Sequence, residues 1–256
     1  VHLKPRWKVF YNSVMARGDA VIANSRYTAD RIMMAHGTPV EQVHPIPRGF
    51  DLEAFDPDGV DETRVAALRA EWGVEGDNRP IVLLPARLTR WKGPLLLVDA
   101  AARAKLPARY VLAGDAQGRT EFEAEVRKRI AEHGLEGDVT LAGHVDDMPA
   151  AYKAADIVVS ASLDPEPFGR IAVEAQAMGA LVIAPDHGGA QEQLVTDPAH
   201  ARTGWLFAPG DADALAGTID DALALGADDK ARMGARARRH AIESFTSDAM
   251  CAATLK

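Results

Sequence analysis

Eight short apolar runs, separated by stretches of helical periodicity, constrain this chain more than any other feature. They are "AVIAN" 20–24, "VHPIP" 43–47, "IVLLPA" 81–86, "YVLAG" 110–114, "VTLAG" 139–143, "DIVVSAS" 156–162, "LVIAP" 181–185 and "GWLFAP" 204–209. Between two of them, "EFEAEVRKRIAEHG" 121–134 has the apolar spacing of an amphipathic helix and ends on Gly134, suited to a left-handed cap. Strands that are apolar on both faces and alternate with helices belong to a parallel sheet covered on both sides. The expected fold class is α/β: a doubly wound, parallel-sheet, Rossmann-like domain running from about residue 78.

The first fifty residues behave differently. They supply two strands and one helix, "SRYTADRIMMAHG", and two strands cannot bury a core of their own. Residues 1–50 are therefore read as the remnant of another domain. Residues 51–77 form a linker punctuated by Pro and Asp, followed by a helix, and 78–256 form the Rossmann-like domain. That last part closes with helical patterns at 211–225, 229–243 and 246–255. The basic run "ARARRH" 235–240 on the second of these is read as a solvated helix face. The chain opens on Val1 rather than Met, and sequence is expected ahead of it.

Composition narrows the partners. With 29 Lys and Arg against 37 Asp and Glu, the net charge of −8 disfavours non-specific nucleic-acid binding, and no nucleic-acid partner is expected. The single cysteine, Cys251, cannot form an internal disulfide, which fits a reducing compartment. No apolar run approaches the roughly 20 residues that span a bilayer, and "VHLKPRWK" has no signal-peptide pattern. A cytoplasmic location is expected, with peripheral contact at the inner face of a membrane as an extension of it. Lys4, Arg6 and Lys8 around Trp7 suit such a contact or an anionic acceptor, although a solvated face is the favoured reading.

Ligands of open parallel sheets bind beyond the carboxyl ends of the strands, and polar, glycine-rich sequence collects there. Arg87 and Lys92 follow the 81–86 run, and a guanidinium and an ammonium on one loop suit a diphosphate. After the 156–162 run, "EPFGRIAVE" places Glu166 between two prolines. A helix is expected to begin near Phe168 and Gly169 and to carry Glu174 two turns in. Amides of that first turn attract anions, whereas carboxylates suit the hydroxyls of sugars flanking a diphosphate. "DHGGAQE" adds Gly188, Gly189 and Glu192, which an ordinary turn would also use.

Other features carry less. "DAD" 211–213 opens a helix, so Asp211 reads as an N-cap rather than a metal ligand. The eight histidines lack zinc-ligand spacing, the serines lack a nucleophile elbow, and no P-loop string occurs.

In order and spacing, "ARLTRWKG", "VLAGDAQG", "VTLAGHVDDMPAAYKAADIVVSAS", "EPFGRIAVEAQAMGALVIAPDHGGAQE" and "GWLFAPGDADALA" resemble the C-terminal domain of family-4 (group 1) retaining glycosyltransferases. "VIANSRYTADRI" and "VHPIPRGFDLEAF" look like the end of that family's N-terminal, acceptor-side domain and the interdomain crossing. The resemblance implies the C-terminal half of a GT-B fold and transfer of a sugar from a nucleoside-diphosphate sugar with retention, an activity of EC class 2.4. It implies no cofactor and no metal.

The resemblance also assigns residues. Arg87 and Lys92 would hold the diphosphate, Glu174 the ribose, and Glu166 the hexose with the Phe168 and Gly169 amides. Gly143, His144, Val145 and Asp146 would line the base pocket. Gly114 and Arg170 complete the donor-binding set, and Glu166, Arg87 and Lys92 are the catalytic candidates. The implied partners are a nucleotide-sugar donor and a sugar or lipid-linked acceptor in bacterial polysaccharide or lipopolysaccharide synthesis. The alternatives are a sugar-nucleotide-binding module without transfer activity, and an epimerase or phosphorylase on the same fold.

Overall fold

The computed structural model describes residues 10–255 apart from Asn12 and Arg119, so the basic opening around Trp7 lies outside the described residues. The chain first forms a small parallel pair, β1 (Val21–Ala23) and β2 (Val43–Pro45), joined by helix α1 (Arg26–His36). Ala23, Ala29 and Val43 form its small core, while Ile22, between the buried Val21 and Ala23 of β1, is 53% exposed.

The chain then crosses to a larger body. Gly49 passes so close to the Ser247 backbone that a side chain there would collide. Phe50 donates its N–H to Phe245 O at 2.8 Å, and its own carbonyl accepts from Ser247 N at 2.9 Å. Phe50, Phe55, Trp72 and helix α2 (Glu62–Glu71) pack into the core of this body.

Six parallel strands form its sheet: β3 (Ile81–Leu84), β4 (Arg109–Ala113), β5 (Val139–Gly143), β6 (Ile157–Val159), β7 (Leu181–Pro185) and β8 (Gly204–Phe207). Their order is β5-β4-β3-β6-β7-β8, so the chain winds outward from β3, returns beside it as β6, and winds out the other way. Every residue of β3 is buried, and alternate side chains feed opposite layers, as a strand's two-residue period requires. Val82 and Leu84 join helices α3 (Pro94–Ala101), α4 (Thr120–Glu132) and, beyond β8, Ala212–Leu223. Ile81 and Leu83 join α2, α5 (Met148–Ala154), α6 (Arg170–Ala177) and Ala227–Ser244. This is the doubly wound α/β fold expected from the alternation of runs.

Three local readings need correction or sharpening. Helix α6 starts at Arg170, because Gly169 stays extended at φ −73° and ψ 114°, so Glu174 sits one turn in rather than two. The 235–240 run is not simply a solvated face. Ala237 and Ala241 are buried, and Arg238 bonds Asp56 Oδ1 at 2.9 Å, pinning the crossing segment. Asp211 does cap its helix, accepting from the Asp213 and Ala214 amides, both at 2.9 Å.

Past α6 come α7 (Ala190–Gln193), the helices at Ala212–Leu223 (α8) and Ala227–Ser244 (α9), and α10 (Ser247–Thr254). Ala253 and Thr254 of α10 reach back to line a groove with Ile22 and Pro45 of the small sheet. Among the described residues no helix is long and apolar enough to cross a membrane.

Candidate functional site

The order reversal between β3 and β6 opens a crevice where the loops leaving those two strands diverge. From β3 the chain passes Arg87 and makes a single 3-10 turn at Arg90–Lys92. It then turns through Gly93, at φ 71°, into α3. A β-carbon at Gly93 would run into the Ala161 carbonyl just beyond β6, so glycine lets the two loops touch. That contact delivers Lys92 to the β6 side. Lys92 Nζ lies 2.7 Å from Glu166 Oε1, with the two side chains 12% and 18% exposed. Ser162 donates to the same carboxylate oxygen, and Lys92 Nζ also sits 4.3 Å from the Trp91 ring centroid.

The segment carrying Glu166 is held from behind. Glu166 O accepts from Gly189 N at 2.8 Å, and a β-carbon on Gly188 (φ +64°) would come within 2.5 Å of that same oxygen. The paired glycines after β7 are therefore required by backbone packing against Glu166.

Glu174, on α6, is buried. Its Oε1 lies 2.6 Å from Arg170 Nη2, and its Oε2 accepts from the Tyr152 hydroxyl at 3.0 Å. Burial raises its pKa above the usual carboxylate range, and the opposing pull of Arg170 and Tyr152 offsets this only in part. Burial, with the neighbouring Glu174 charge, pushes the Tyr152 hydroxyl well above its ordinary value.

Arg87, Lys92, Glu166, Phe168, Arg170 and Glu174 line one open cleft of about 390 Å³. Lys92 and Glu174 thus face a common space. Arg87 is exposed and reaches Gln117 Oε1 at 3.4 Å. Both cations of the expected diphosphate loop are present, but Lys92 is already neutralised by Glu166.

Other expected residues stand elsewhere. Gly143 ends β5, the outermost strand on that side, His144, Val145 and Asp146 follow it, and none of the four lines the cleft. His144 Nε2 pairs with Asp146 Oδ1 at 2.9 Å on the surface. Gly114 packs directly on the Ala86 carbonyl, where it fits the loops together. Gly169 lines a tighter cavity behind Glu166, with His187 and Gln193. Glu192 points away, to the backbone N–H groups of Arg26 and Tyr27. Conversely, Met148, Tyr152 and Ile171 line the cleft without having been singled out in the sequence. Tyr152 carries no motif, and only its place on the helix after β5 brings it to Glu174.

Among the described residues no group of three or more His, Cys, Asp or Glu side chains is placed to hold a metal ion. The cleft's chemistry is that of two cation–carboxylate pairs. It offers charge for an anion and hydrogen-bond acceptors for hydroxyls.

Comparison with known proteins gives concordant matches. The family model "Glycosyl transferases group 1" matches residues 69–240. D-inositol 3-phosphate glycosyltransferase of Jonesia denitrificans is 33% identical, the match covering 96% of this chain and 58% of that protein. A glycosyltransferase structure from Rickettsia africae superposes with a TM-score of 0.89 at 32% identity, covering all of this chain and 66% of that one. Anabaena HepE, solved in complex with UDP and glucose, gives a TM-score of 0.86 at 29% identity, over 98% of this chain and 67% of that one. The chain spans about half the length of the curated relatives it matches.

Proposed function

Because the chain belongs to the group 1 glycosyl transferases, we propose that it is the donor-binding half of a retaining, metal-independent family-4 enzyme that uses a nucleoside-diphosphate sugar. The observation that carries this reading is the convergence of Arg87, Lys92, Glu166, Arg170 and Glu174 on one cleft at the strand-order reversal. The complex of HepE with UDP and glucose supports the same ligand class.

In this reading the diphosphate lies between Arg87 and Lys92. Negative charge grows on the β-phosphate as the sugar leaves, and cations already in place stabilise it without rearrangement. Glu166 accepts from hexose hydroxyls and Glu174 from the ribose. Attack on the face that the leaving phosphate occupies retains configuration, and a phosphate oxygen takes the acceptor's proton. The acceptor, a sugar or a lipid-linked sugar, would be presented by the acceptor-side domain to which the β1–β2 segment belongs.

Thermal shift of this chain with UDP, GDP and ADP, and with UDP-, GDP- and ADP-glucose, tests the reading. One base series should stabilise strongly, by about 2.7 kcal/mol at a hundredfold excess over Kd. No shift with any of the six compounds removes the assignment. Lys92→Ala should cost the preferred ligand about 2–5 kcal/mol of binding, the range for truncating one member of a buried charge pair. Undiminished binding would take Lys92 out of the site.

A further inference from the structure

Glu192 has no place in the donor cleft, yet its carboxylate makes a contact that joins the two parts of the chain. Oε2 accepts from Arg26 N at 2.9 Å, and Oε1 from Tyr27 N at 3.2 Å. These are the first two residues of α1, and an α-helix leaves its first N–H groups without partners of its own. Ser25, fully buried, caps the next one by accepting from Thr28 N at 3.0 Å. The N–H groups of residues 26–28 are thus all satisfied, two of them by a residue more than 160 positions away. A carboxylate at a helix N-terminus also meets the positive end of its dipole.

At its other end, Glu192 is tied to the cleft. Its N–H donates to Gly189 O at 3.2 Å, and Gly189 N donates to Glu166 O at 2.8 Å. Gly188 lies against the Glu166 backbone too closely to accept a side chain. Glu166, this short turn and α1 therefore form one chain of direct contacts.

We propose that Glu192 is a positioning residue that couples occupancy of the donor-sugar subsite to the seating of the β1–α1–β2 segment. The inference rests on the donor reading above, since Glu166 must engage the sugar for the signal to arise. A bound hexose fixes Glu166, Glu166 fixes the Gly188–Gly189 turn, and the turn holds the Glu192 carboxylate on the α1 amides. The acceptor-side segment is thereby seated more firmly when the sugar is present than when the nucleotide alone is bound.

Amide hydrogen exchange across residues 20–46 tests this, read with the six nucleotides of the panel above. The sugar nucleotide that binds should slow exchange at residues 26 and 27 by about tenfold beyond the effect of its free diphosphate, on the scale of one charge-assisted hydrogen bond. Glu192→Gln should abolish that increment while nucleoside-diphosphate affinity stays unchanged. Arg26→Pro is an independent probe. It deletes one donor at the first helical position, where proline is tolerated, and Ser25 ahead of it is already extended at φ −167° and ψ 161°. The two substitutions together should do no more than Glu192→Gln alone.

A merely structural bond would lower Tm in each variant but leave the sugar-dependent increment intact, and that result overturns the proposal. Equal protection with diphosphate and sugar nucleotide in the unaltered chain does the same. Absence of binding by any of the six compounds removes the donor reading and the coupling with it, so the two failures are distinguishable.

Discussion

Inside the cleft, the Glu174 carboxylate has exchanged water for two protein donors, Arg170 at 2.6 Å and Tyr152 at 3.0 Å. Its raised pKa shows that burial outweighs both. The folded chain thus holds a proton at a pH where the unfolded chain has released it. Stability tied to Glu174 is full at or below the ordinary value of 4.5 and is lost as pH rises through the raised value. Glu174→Gln should therefore raise Tm at neutral pH and flatten its decline on the alkaline side of the carboxylate range. Each kcal/mol recovered corresponds to roughly 2–4 °C. The same change should weaken nucleotide binding by about tenfold, since the amide replaces one acceptor oxygen by a donor. A variant with lower Tm and intact binding would show Glu174 to be a framework residue. At this scale the sequence was legible in part. The Glu166–Glu174 spacing marked both carboxylates, and Ser162 lies only four residues ahead of Glu166, but Tyr152 reaches Glu174 through packing that no local spacing encodes.

At the scale of elements, the glycines divide by what they make possible. Gly93 and Gly188 let loops from different strands touch, whereas Gly134 occupies the left-handed region just beyond α4. Asp211 shows a cap whose role is purely local. Asp211→Ala should cost about 1 kcal/mol, or roughly 2–4 °C in Tm, with nucleotide binding untouched. Weakened binding would reopen the "DAD" string as part of the site. Strand positions were readable because a parallel strand buried on both faces leaves an uninterrupted apolar run; β5 and β7 coincide with 139–143 and 181–185. The start of α6 near Gly169 was legible, since that glycine serves as its N-cap, but Glu174 lies one turn in rather than two. Phe168 meets Phe245 edge to face, 5.9 Å away between ring centroids, on a distant part of the chain.

Across the whole molecule, stability is unevenly distributed. The six-stranded sheet is buried in two layers, whereas β1, β2 and α1 share a core of three buried side chains with Ile32 and Met33 packed against it. Amides of β1 and β2 should exchange at least about tenfold faster than those of β3 and β6, which open only with the larger body. Equal rates would mean that the crossing at Gly49 and α10 makes the two parts one cooperative unit. The sequence showed that two strands could not stand alone, but it could not show that the crossing segment enters the larger core through Phe50, Phe55 and Trp72.

One consequence follows from the ion pair formed by Lys92 and Glu166. Each group already satisfies the other, so a newcomer must rehouse both at once. Inorganic phosphate can take the ammonium but strands the carboxylate, and a free hexose does the reverse. A molecule carrying an anion and hydroxyls at the right separation compensates both, so inorganic phosphate or a free hexose alone engages the resting pair poorly.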